Sequence, residues 1–458
     1  MELKGKRVLV LGMAKSGLAA ARFLAARGAR VLISDSRPAS ELTEESAQLR
    51  RSAIATEFGG HSPASFEEKD LIVISPGVPT NLPQLMQARE RGVPVIGELE
   101  LASRFLQGRV VAITGSNGKT TTTALTGEVI AAGQRKTLVG GNIGTPAISL
   151  VEESTPESFA VLEVSSFQLE TIEHFHPFIA IVLNVTPDHL DRHGSMETYV
   201  AAKAQIFQNQ TKRDFAVLNR DDAICVAMAA NVNAQVRWFS RREPADAGAF
   251  VRDDHIVWRD AQSERAIMPV GEIRLKGAHN LENVLAAVAA GMLAGCDPEQ
   301  IRRAVGRFKA VEHRLEFVGS AGGVDYYNDS KATNVDATIK ALQSFPASIH
   351  LILGGKDKGS DYTLLAPLLR ERVKRVYTIG TAAEKIEQQI SGAAEIVRAG
   401  TLAAAVKHAS RAADPGDVVL LAPACASFDQ FQNYEHRGRV FKDLVRQIGT
   451  VAKPRGAA

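Results

Sequence analysis

A glycine-rich stretch, ITGSNGKTTTT at residues 113–123, has the residue types that bind a phosphate. It follows an apolar run and leads into a predicted helix, and the N–H groups of such a strand-to-helix turn attract anions. Gly115 and Gly118 permit close approach, Lys119 would reach the β- and γ-phosphates of a nucleotide, and Thr120 would bind magnesium. The pattern therefore predicts an ATP site, formed by Gly115, Ser116, Asn117, Gly118, Lys119, Thr120 and Thr121.

The spacing departs from the full phosphate-loop pattern G-x-x-x-x-G-K-[ST]. The position five residues before Gly118 is Ile113 and not glycine. We therefore expect a loop that is shorter or differently wound. The alternative is an ordinary Gly/Ser turn before a threonine-rich helix start, but the strand before it and the helix after it favour the nucleotide.

Two later strand ends carry further polar groups. Glu163 ends one apolar run, and NVTPDHLDR (184–192) follows another. Ligands collect at the carboxyl edge of a parallel sheet, and magnesium prefers oxygen ligands. Glu163 is thus a candidate metal ligand, and Asp188, His189 and Asp191 could serve metal or substrate. The alternatives are a solvated rim residue and a capped turn.

The N-terminal region invites a different interpretation. Gly12 to Gly17 (GMAKSG) follows a strand, and Asp35 ends the next one, as in dinucleotide-binding proteins. Ala14 replaces the middle glycine of G-x-G-x-x-G, which weakens the match. A nicotinamide oxidoreductase would use Gly12 and Asp35, but it would leave the loop at 113–123 unexplained.

The chain of 458 residues is too long for one hydrophobic core. Alternating strand and helix patterns predict an α/β protein of three domains. These are a Rossmann-like domain at 1–97, a central mononucleotide-binding α/β domain with the phosphate loop at 98–310, and a Rossmann-like α/β domain at 311–458. The predicted strands are 7–11, 30–33, 71–74, 93–96, 109–114, 159–163, 178–184, 235–239, 255–259, 272–275, 348–353, 375–379 and 417–421, and the main predicted helices are 16–26, 195–208 and 280–294.

Composition excludes several classes of partner. The net charge of +3 comes from 54 basic and 51 acidic residues without a basic run, which argues against nucleic acid. Cys225, Cys296 and Cys425 lack CxxC spacing, which fits ordinary thiols in a reducing compartment. No apolar run approaches membrane-spanning length. We expect a cytoplasmic protein, a monomer that binds small molecules and does not insert into membranes.

Several motifs together resemble a known family, the Mur ligases of peptidoglycan synthesis. They are GSNGKT (115–120), NVTPDHLDR (184–192), His313-Arg314, YNDSKATN (327–334) and PACASFDQF (423–431). These motifs lie in the second and third predicted domains, and SPGV (75–78) in the first resembles a turn of the same family. Within the family, the motifs look most like those of the members that add D-glutamate to UDP-N-acetylmuramoyl-L-alanine.

The resemblance implies amide synthesis driven by ATP, with magnesium at two sites. The γ-phosphate would pass to the substrate carboxylate, and the amine of D-glutamate would then attack the acyl phosphate. A carboxylate is a poor electrophile until it is phosphorylated, and the anionic reactants repel one another, so the site needs cations.

Site roles are carried over from the family by motif match. The catalytic residues implied are Lys119, His189, Lys203 and Lys331, and the metal ligands are Thr120, Glu163, His189 and Lys203. Further nucleotide contacts implied are Asn280, Asn283, Arg314 and Asp329. The UDP-substrate positions are Ser16, Asp35, Ser36, Arg37, Gly77, Asn142 and Ser165, and the D-glutamate positions are Lys358, Ser427 and Phe428.

Lys203 matches the segment in which the family carries a lysine carbamylated by carbon dioxide. An ammonium beside magnesium would be repelled, whereas a carbamate offers oxygen ligands. The alternative is an unmodified, solvated helix lysine.

Other functions within and outside this chemistry stay open. A sibling ligase for another amino acid or a folylpolyglutamate synthase would share the chemistry, although the chain lacks the Asp-Asn-Pro-Arg motif of the diaminopimelate-adding sibling. A regulatory or motor ATPase would hydrolyse ATP without joining two substrates.

Overall fold

The computed structural model describes residues 1–42, 49, 54–275, 277–308 and 312–451. These form two compact units. The first contains Met1–Val185, Glu197–Ile273 and Glu282–Arg307, and the second contains Thr186–Met196, Arg274–Leu281 and the chain from Phe308 onward. The predicted boundary between residues 310 and 311 lies outside the described residues. No helix in the described ranges is long and apolar enough to cross a membrane.

The first sheet of the first unit is parallel, with the order β3-β2-β1-β4-β5. Its elements are β1 (Arg7–Leu11), α1 (Lys15–Ala26), β2 (Arg30–Asp35), β3 (Ala55–Phe58), β4 (Leu71–Ile74), α2 (Pro83–Glu90), β5 (Val95–Gly97) and α3 (Glu98–Ser103). The four strands predicted here are confirmed. The sequence did not predict β3, because this edge strand has no buried residue and therefore no apolar run. Strand order reverses between β1 and β4, which is where such sheets bind ligands.

The second sheet has the order β14-β13-β12-β11-β10-β9-β6-β8-β7. Its strands are β6 (Arg109–Thr114), β7 (Thr137–Gly141), β8 (Phe159–Glu163), β9 (Ile179–Val182), β10 (Phe215–Asn219), β11 (Gln235–Ser240), β12 (Gly248–Arg252), β13 (His255–Arg259) and β14 (Glu264–Pro269). The strands from β7 to β12 run parallel, whereas β12-β13 and β13-β14 are antiparallel. Strands β6, β8 and β9 are buried along nearly their whole length.

The strand predicted at 272–275 is wrong. Residues Val270–Glu272 form a 3-10 turn, and the edge strand of the antiparallel ladder is β14 instead. The alternation of Ile273 and Leu275 with charged residues resembled a strand, but both side chains are only partly buried. The helices between and after these strands are α4 (Lys119–Ala132), α5 (Ser166–Leu169), α6 (Leu190–His193), α7 (Met196–Ala204), α8 (Ala223–Met228), α9 (Ala278–Leu293) and α10 (Pro298–Arg307).

The sheet of the second unit has the order β15-β16-β20-β17-β18-β19, antiparallel at β15-β16 and parallel elsewhere. Its elements are β15 (Glu316–Ala321), β16 (Val324–Asn328), α11 (Val335–Gln343), β17 (Ile349–Gly354), α12 (Ala366–Arg372), β18 (Val373–Ile379), α13 (Ala383–Gln389), β19 (Glu395–Gly400), α14 (Leu402–Ala412), β20 (Val418–Leu421) and α15 (Tyr434–Val451). Leu351 and Ile352 belong to separate cores on the two faces, as expected for a strand covered by helices on both sides.

The three cysteines are buried free thiols. Burial raises the pKa of each, to about 12 for Cys425. The interpretation of all three as ordinary buried thiols is confirmed.

Candidate active site

The predicted phosphate loop connects β6 to α4. Gly115 and Gly118 have φ angles of 150° and 88°, in the region that favours glycine. A Cβ atom on Gly118 would lie 2.2 Å from Oδ1 of Asn283, which also accepts a hydrogen bond from Thr122. Both glycines are therefore required by the backbone of the loop, and Asn283 supports it from α9.

The ammonium of Lys119 folds back over this loop. It donates to the carbonyl oxygens of Gly115, at 2.8 Å, and Ser116, at 2.9 Å. These bonds hold a cation beside the backbone N–H groups at the start of α4, where an anion is favoured. The loop and Lys119 together match the expected environment of nucleotide phosphates.

Asn184 fixes the other side of the loop. Its Oδ1 accepts from the backbone N of Asn117 at 2.8 Å, its Nδ2 donates to the Asn117 carbonyl at 3.0 Å, and its own carbonyl accepts from Ser116 N at 2.9 Å. Sequence reasoning assigned Asn184 no role beyond its place in NVTPDHLDR. The only signal was its position directly after an apolar strand.

Thr120 and Glu163 meet at the ends of neighbouring elements. Thr120 Oγ1 donates to Glu163 Oε2 at 2.6 Å, and Asn142 Nδ2 donates to Oε1 at 3.1 Å. Glu163 is 2% exposed, and both donors are neutral groups. A buried carboxylate beside a hydroxyl is a donor set that suits magnesium, so these residues fit the expected metal.

Lys203 lies against the phosphate loop from α7. Its side chain is 1% exposed, its Nζ donates to the carbonyl of Gly115 at 2.9 Å, and the same atom lies 4.4 Å from the centroid of the Tyr199 ring. Tyr199 OH lies 3.2 Å from Ser116 Oγ. The solvated-lysine alternative is therefore wrong: Lys203 is a buried residue at the loop.

In the second unit, Asp188 forms a buried ion pair. Lys358 Nζ lies 2.8 Å from Asp188 Oδ1, and Asn334 Nδ2 donates to Oδ2 at 2.9 Å. Burial would raise the pKa of Asp188, but the charges of Lys358 and His189 and these hydrogen bonds hold it well below its usual range. His189, at the N-cap of α6, has a left-handed backbone, and its Nε2 lies 3.7 Å from Asp188.

A cavity of about 460 Å³ also lies within the second unit. It brings together Asn280 and Arg314, two of the predicted nucleotide residues; the remaining lining is Arg274, Leu275, Leu315, Phe317, Asp325 and Tyr327. The rings of Phe317 and Tyr327 are 5.4 Å apart, and Phe317 is 54% exposed. Aromatic faces beside an amide and a guanidinium suit a purine base. Sequence reasoning missed the two rings.

Asp329 is buried near this cavity. Burial raises its pKa to about 6, against the opposing charge of Arg314, and its Oδ1 accepts a hydrogen bond from Leu315 N at 3.3 Å. Asp329 is thus a backbone-bound carboxyl directly after β16.

Three loops of the second unit carry the other predicted site residues of that unit. Lys331 follows β16, Ser427 and Phe428 follow β20, and Lys358 follows β17, and these three strands are neighbours in the sheet. Ser427 is buried, whereas Phe428 is 69% exposed. Lys331 Nζ lies 3.5 Å from the hydroxyl and 5.3 Å from the ring centroid of Tyr434.

The N-terminal crevice is organised by Asp35. Its carboxylate accepts hydrogen bonds from Met13 N at 2.7 Å and from the backbone N, Nε and Nη2 of Arg37 at 2.9–3.0 Å. Burial alone would raise the pKa of Asp35, but these bonds hold it below its usual value. A Cβ on Gly17 would lie 1.8 Å from the Gly12 carbonyl, so glycine is needed there. Asp35 therefore ties the loop after β1 to the loop after β2.

The other predicted substrate positions occupy turns of the first unit. Ser16 lies in the first turn of α1, Ser36 directly follows β2, and Gly77 lies in the turn after β4. Ser165 is the N-cap of α5 and forms a capping box with Gln168. The loops after β1 and β4 meet, since Ser75 Oγ donates to the Gly12 carbonyl at 3.3 Å.

Sequence reasoning missed Glu98, a buried carboxyl at the start of α3. One oxygen accepts from Ile148 N at 2.7 Å. The other has no hydrogen-bond partner within the described ranges, and the same holds for Gln168 Nε2. Both residues line a cavity of about 10 Å³, with room for one water molecule. Burial raises the pKa of Glu98 to about 7.

Glu98 should make stability depend on pH. The folded state holds the proton more tightly than the unfolded chain, whose pKa is near 4.5, so stability falls as pH rises from 4.5 to 7. Glu98→Gln keeps the acceptor for Ile148 and removes this titration. We expect the variant to be more stable than the parent above pH 8 by about 3 kcal/mol, and equal to it at low pH. Urea unfolding at both pH values checks this, with exposed Glu90→Gln as the control; an equal gain at both pH values would contradict it.

The fold and site define a nucleotide-binding α/β protein with a phosphate loop, and comparison with known families is consistent with that class. Models of the Mur ligase MurD-like N-terminal domain, the Mur ligase middle domain and the Mur ligase glutamate ligase domain match residues 6–97, 113–291 and 313–425. The chain belongs to the Mur ligase family.

Curated relatives match nearly the whole chain. A UDP-N-acetylmuramoylalanine--D-glutamate ligase of Koribacter versatilis is 61% identical, covering 99% of this chain and 100% of that protein. The protein of the same name from Acidobacterium capsulatum is 59% identical, covering 97% of each. Among solved structures, a pseudomurein peptide ligase type C of Methanothermus fervidus has a TM-score of 0.63 at 20% identity, covering 97% of this chain and 100% of that chain. The UDP-N-acetylmuramate-alanine ligase of Thermotoga maritima has a TM-score of 0.61 at 20% identity, covering 96% and 99%. These two structures share the fold.

Proposed function

We propose that this chain uses ATP to join D-glutamate to UDP-N-acetylmuramoyl-L-alanine, releasing ADP and phosphate in the synthesis of peptidoglycan precursors. The observation that carries the proposal is the loop at Gly115–Gly118, with Lys119 folded over it and the Thr120–Glu163 pair beside it. Relatives of 59–61% identity over nearly the full length carry the name of this activity.

The reaction proceeds in two steps. A carboxylate oxygen of the alanyl end attacks the γ-phosphorus of ATP, the bond to the β-phosphate oxygen breaks, and an acyl phosphate and ADP result. The amine of D-glutamate then attacks the acyl carbon, loses a proton, and phosphate leaves from the tetrahedral intermediate. Lys119 and the N-terminal N–H groups of α4 stabilise the negative charge on the transferred phosphoryl group. Magnesium, when held by Thr120 and Glu163, would neutralise further phosphate charge.

The remaining roles are proposed from the family resemblance of the motifs. The crevice at β1 and β4, with Ser16, Asp35, Ser36, Arg37 and Gly77, takes the UDP end. The alanyl arm faces Asn142 and Ser165. The cavity with Asn280 and Arg314 takes the adenosine, with Asp329 nearby. His189 would hold a second magnesium ion, Lys331 stabilises phosphoryl charge, and Lys358, Ser427 and Phe428 bind D-glutamate.

An amino-acid panel tests the activity. ADP release is measured with UDP-N-acetylmuramoyl-L-alanine and a set of L- and D-amino acids. We expect turnover with D-glutamate only. Turnover with another amino acid would indicate a sibling ligase, and ATP hydrolysis without any amino acid would indicate a regulatory ATPase. An absorbance change with NAD(P)H would support the oxidoreductase alternative.

We also propose that Lys203 is carbamylated. Carbamylation leaves one N–H on the nitrogen, so the bond to the Gly115 carbonyl at 2.9 Å can persist while the new oxygens carry negative charge. Such a group would ligate magnesium, which an ammonium cannot do. The burial of Lys203 at the phosphate loop, where the side chain is 1% exposed, supports this placement.

The carbamate makes activity depend on carbon dioxide. At low pH and without bicarbonate, the parent protein should lose activity and regain it when bicarbonate is added. Lys203→Arg should be about 100-fold less active, with no response to bicarbonate. Exposed Lys136→Arg serves as the control and should respond like the parent. A bicarbonate response that persists in Lys203→Arg, or a native mass without the added carbon dioxide, would contradict the modification.

We also propose three domains, at residues 1–97, 98–310 and 311–458. The protein is further proposed to be a monomer and to lie in the cytoplasm. Each of the three sheets falls within one of the three ranges, which supports the boundaries. Sedimentation of the purified chain with and without ATP tests the monomer.

A further inference from the structure

Arg437, on the first turn of α15, is a fully buried arginine, with 0% exposure. Its Nε donates to Ser330 Oγ at 3.0 Å, and its Nη2 donates to the Ser330 carbonyl at 2.8 Å. Nη1 and Nη2 each donate to the Cys425 carbonyl at 3.2 Å, and Nη1 also reaches the Ala426 carbonyl at 3.4 Å. One guanidinium thus contacts two loops that are distant in sequence.

The acceptors around Arg437 are neutral. In the described ranges, each of its hydrogen bonds ends on a carbonyl or hydroxyl oxygen and none on a carboxylate. Burial lowers the pKa of the guanidinium to about 10, which still leaves it charged at neutral pH. A buried charge without an opposite charge in hydrogen-bonding contact is costly, so stability alone does not explain an arginine here.

The contacts of Arg437 lie at the carboxyl ends of three neighbouring strands. Ser330 follows β16, Cys425 follows β20, and Gly355 follows β17, in the order in which these strands lie side by side. A Cβ on Gly355 would lie 3.2 Å from Nη1. Lys356 and Ala426 exchange two backbone hydrogen bonds of 2.9 and 3.1 Å, which join the loop after β17 to the loop after β20. The guanidinium therefore contacts or closely approaches all three loops.

The first turn of α15 also contacts Lys331, in the loop after β16. Ser330 Oγ donates to the Tyr434 carbonyl at 2.8 Å, and Lys331 Nζ lies 3.5 Å from the Tyr434 hydroxyl. The start of α15 is thus bonded to the loop after β16 through both Tyr434 and Arg437.

We propose that Arg437 is a positioning residue that sets the spacing of Lys331, Ser427 and Lys358, one residue from each loop. The inference rests on the placement of D-glutamate at these loops proposed above. Arginine is suited to this because its planar group presents five donors in a fixed arrangement, whereas lysine presents a single rotating ammonium. Arg437 acts through the loop backbones and does not touch the substrate.

Arg437→Lys keeps the charge and removes the fixed arrangement of donors. We expect the KM for D-glutamate to rise about tenfold or more and kcat to fall, because small misplacements of binding groups are costly. The KM for UDP-N-acetylmuramoyl-L-alanine should stay within about twofold, since its proposed residues are in the first unit. Unchanged KM for D-glutamate and unchanged kcat would overturn the proposal.

Val445→Ala on the same helix is the matched control for stability. Val445 packs in the core beneath the sheet, and its loss should lower Tm without changing the KM for D-glutamate. If Val445→Ala raises this KM as much as Arg437→Lys does, the effect is one of stability and the proposal fails. If Arg437→Lys does not fold, Ser330→Ala decides, because it removes the acceptor of Nε and the donor to the Tyr434 carbonyl but leaves the guanidinium and its bonds to backbone carbonyls. A raised KM for D-glutamate at parental Tm supports the proposal, and an unchanged KM overturns it.

Lys358→Ala and Ser427→Ala separate this proposal from the placement of D-glutamate. If neither changes the KM for D-glutamate, the amino acid binds elsewhere and the placement is wrong. If both raise it while Arg437→Lys behaves like the parent, the placement stands and only the role of Arg437 is rejected.

Discussion

Lys119→Met is expected to lower the ligase rate about 1,000-fold while the protein stays folded. The Lys119 ammonium lies over the phosphate loop, where it donates to the carbonyls of Gly115 and Ser116. Loss of one preorganised group that stabilises transition-state charge commonly costs about 100- to 1,000-fold in rate. Methionine keeps most of the apolar stem, so the packing of α4 should change little.

The measurement is ADP release with saturating UDP-N-acetylmuramoyl-L-alanine and D-glutamate, together with thermal unfolding. Lys136 is an exposed residue directly before β7, in the same sheet, and Lys136→Met should keep the parental rate. D-glutamate ligation by Lys119→Met at a near-parental rate would disprove the role of the loop. A large fall in Tm would instead assign the lost activity to misfolding.

Glu163→Gln should lower kcat about 100-fold or more and raise the magnesium concentration needed for half-maximal activity. The carboxylate is buried between Thr120 Oγ1 at 2.6 Å and Asn142 Nδ2 at 3.1 Å, and glutamine can still accept the bond from Thr120. The variant therefore removes a negative charge without removing that contact. Charge stabilisation by a bound metal contributes several kcal/mol, and about 3 kcal/mol corresponds to 100-fold.

Magnesium titration of the rate separates the metal role from a general loss of activity. Glu157→Gln, an exposed residue just before β8, is the control and should titrate like the parent. An unchanged magnesium requirement in Glu163→Gln would show that Glu163 is not a ligand.

The strongest sequence signals came from buried strands and from loops with restricted backbones. Apolar runs such as Arg109–Thr114 are buried on both faces, so their pattern alone predicted the strand correctly. The phosphate loop was recognisable because Gly118 must adopt a positive φ beside Asn283. The edge strands β3 and β14 gave no comparable signal, since about half of their side chains are exposed.

Contacts between residues distant in the chain could not be predicted. Lys203 lies 88 positions from Gly115, and no periodicity connects the two. Glu98 belongs to no sequence motif, and only its burial in the folded chain distinguishes it. The pairing of Asp188 with Lys358, 170 positions apart, likewise depends on the folded chain.

The burial of Cys225, Cys296 and Cys425 makes this protein a convenient host for site-specific probes. A thiolate is the species that reacts with maleimides, and the raised pKa of each native cysteine keeps it protonated in the neutral range. One cysteine introduced at an exposed position would therefore react far faster than the three native ones. Fluorophores could then be attached to the full-length chain without first replacing its native cysteines.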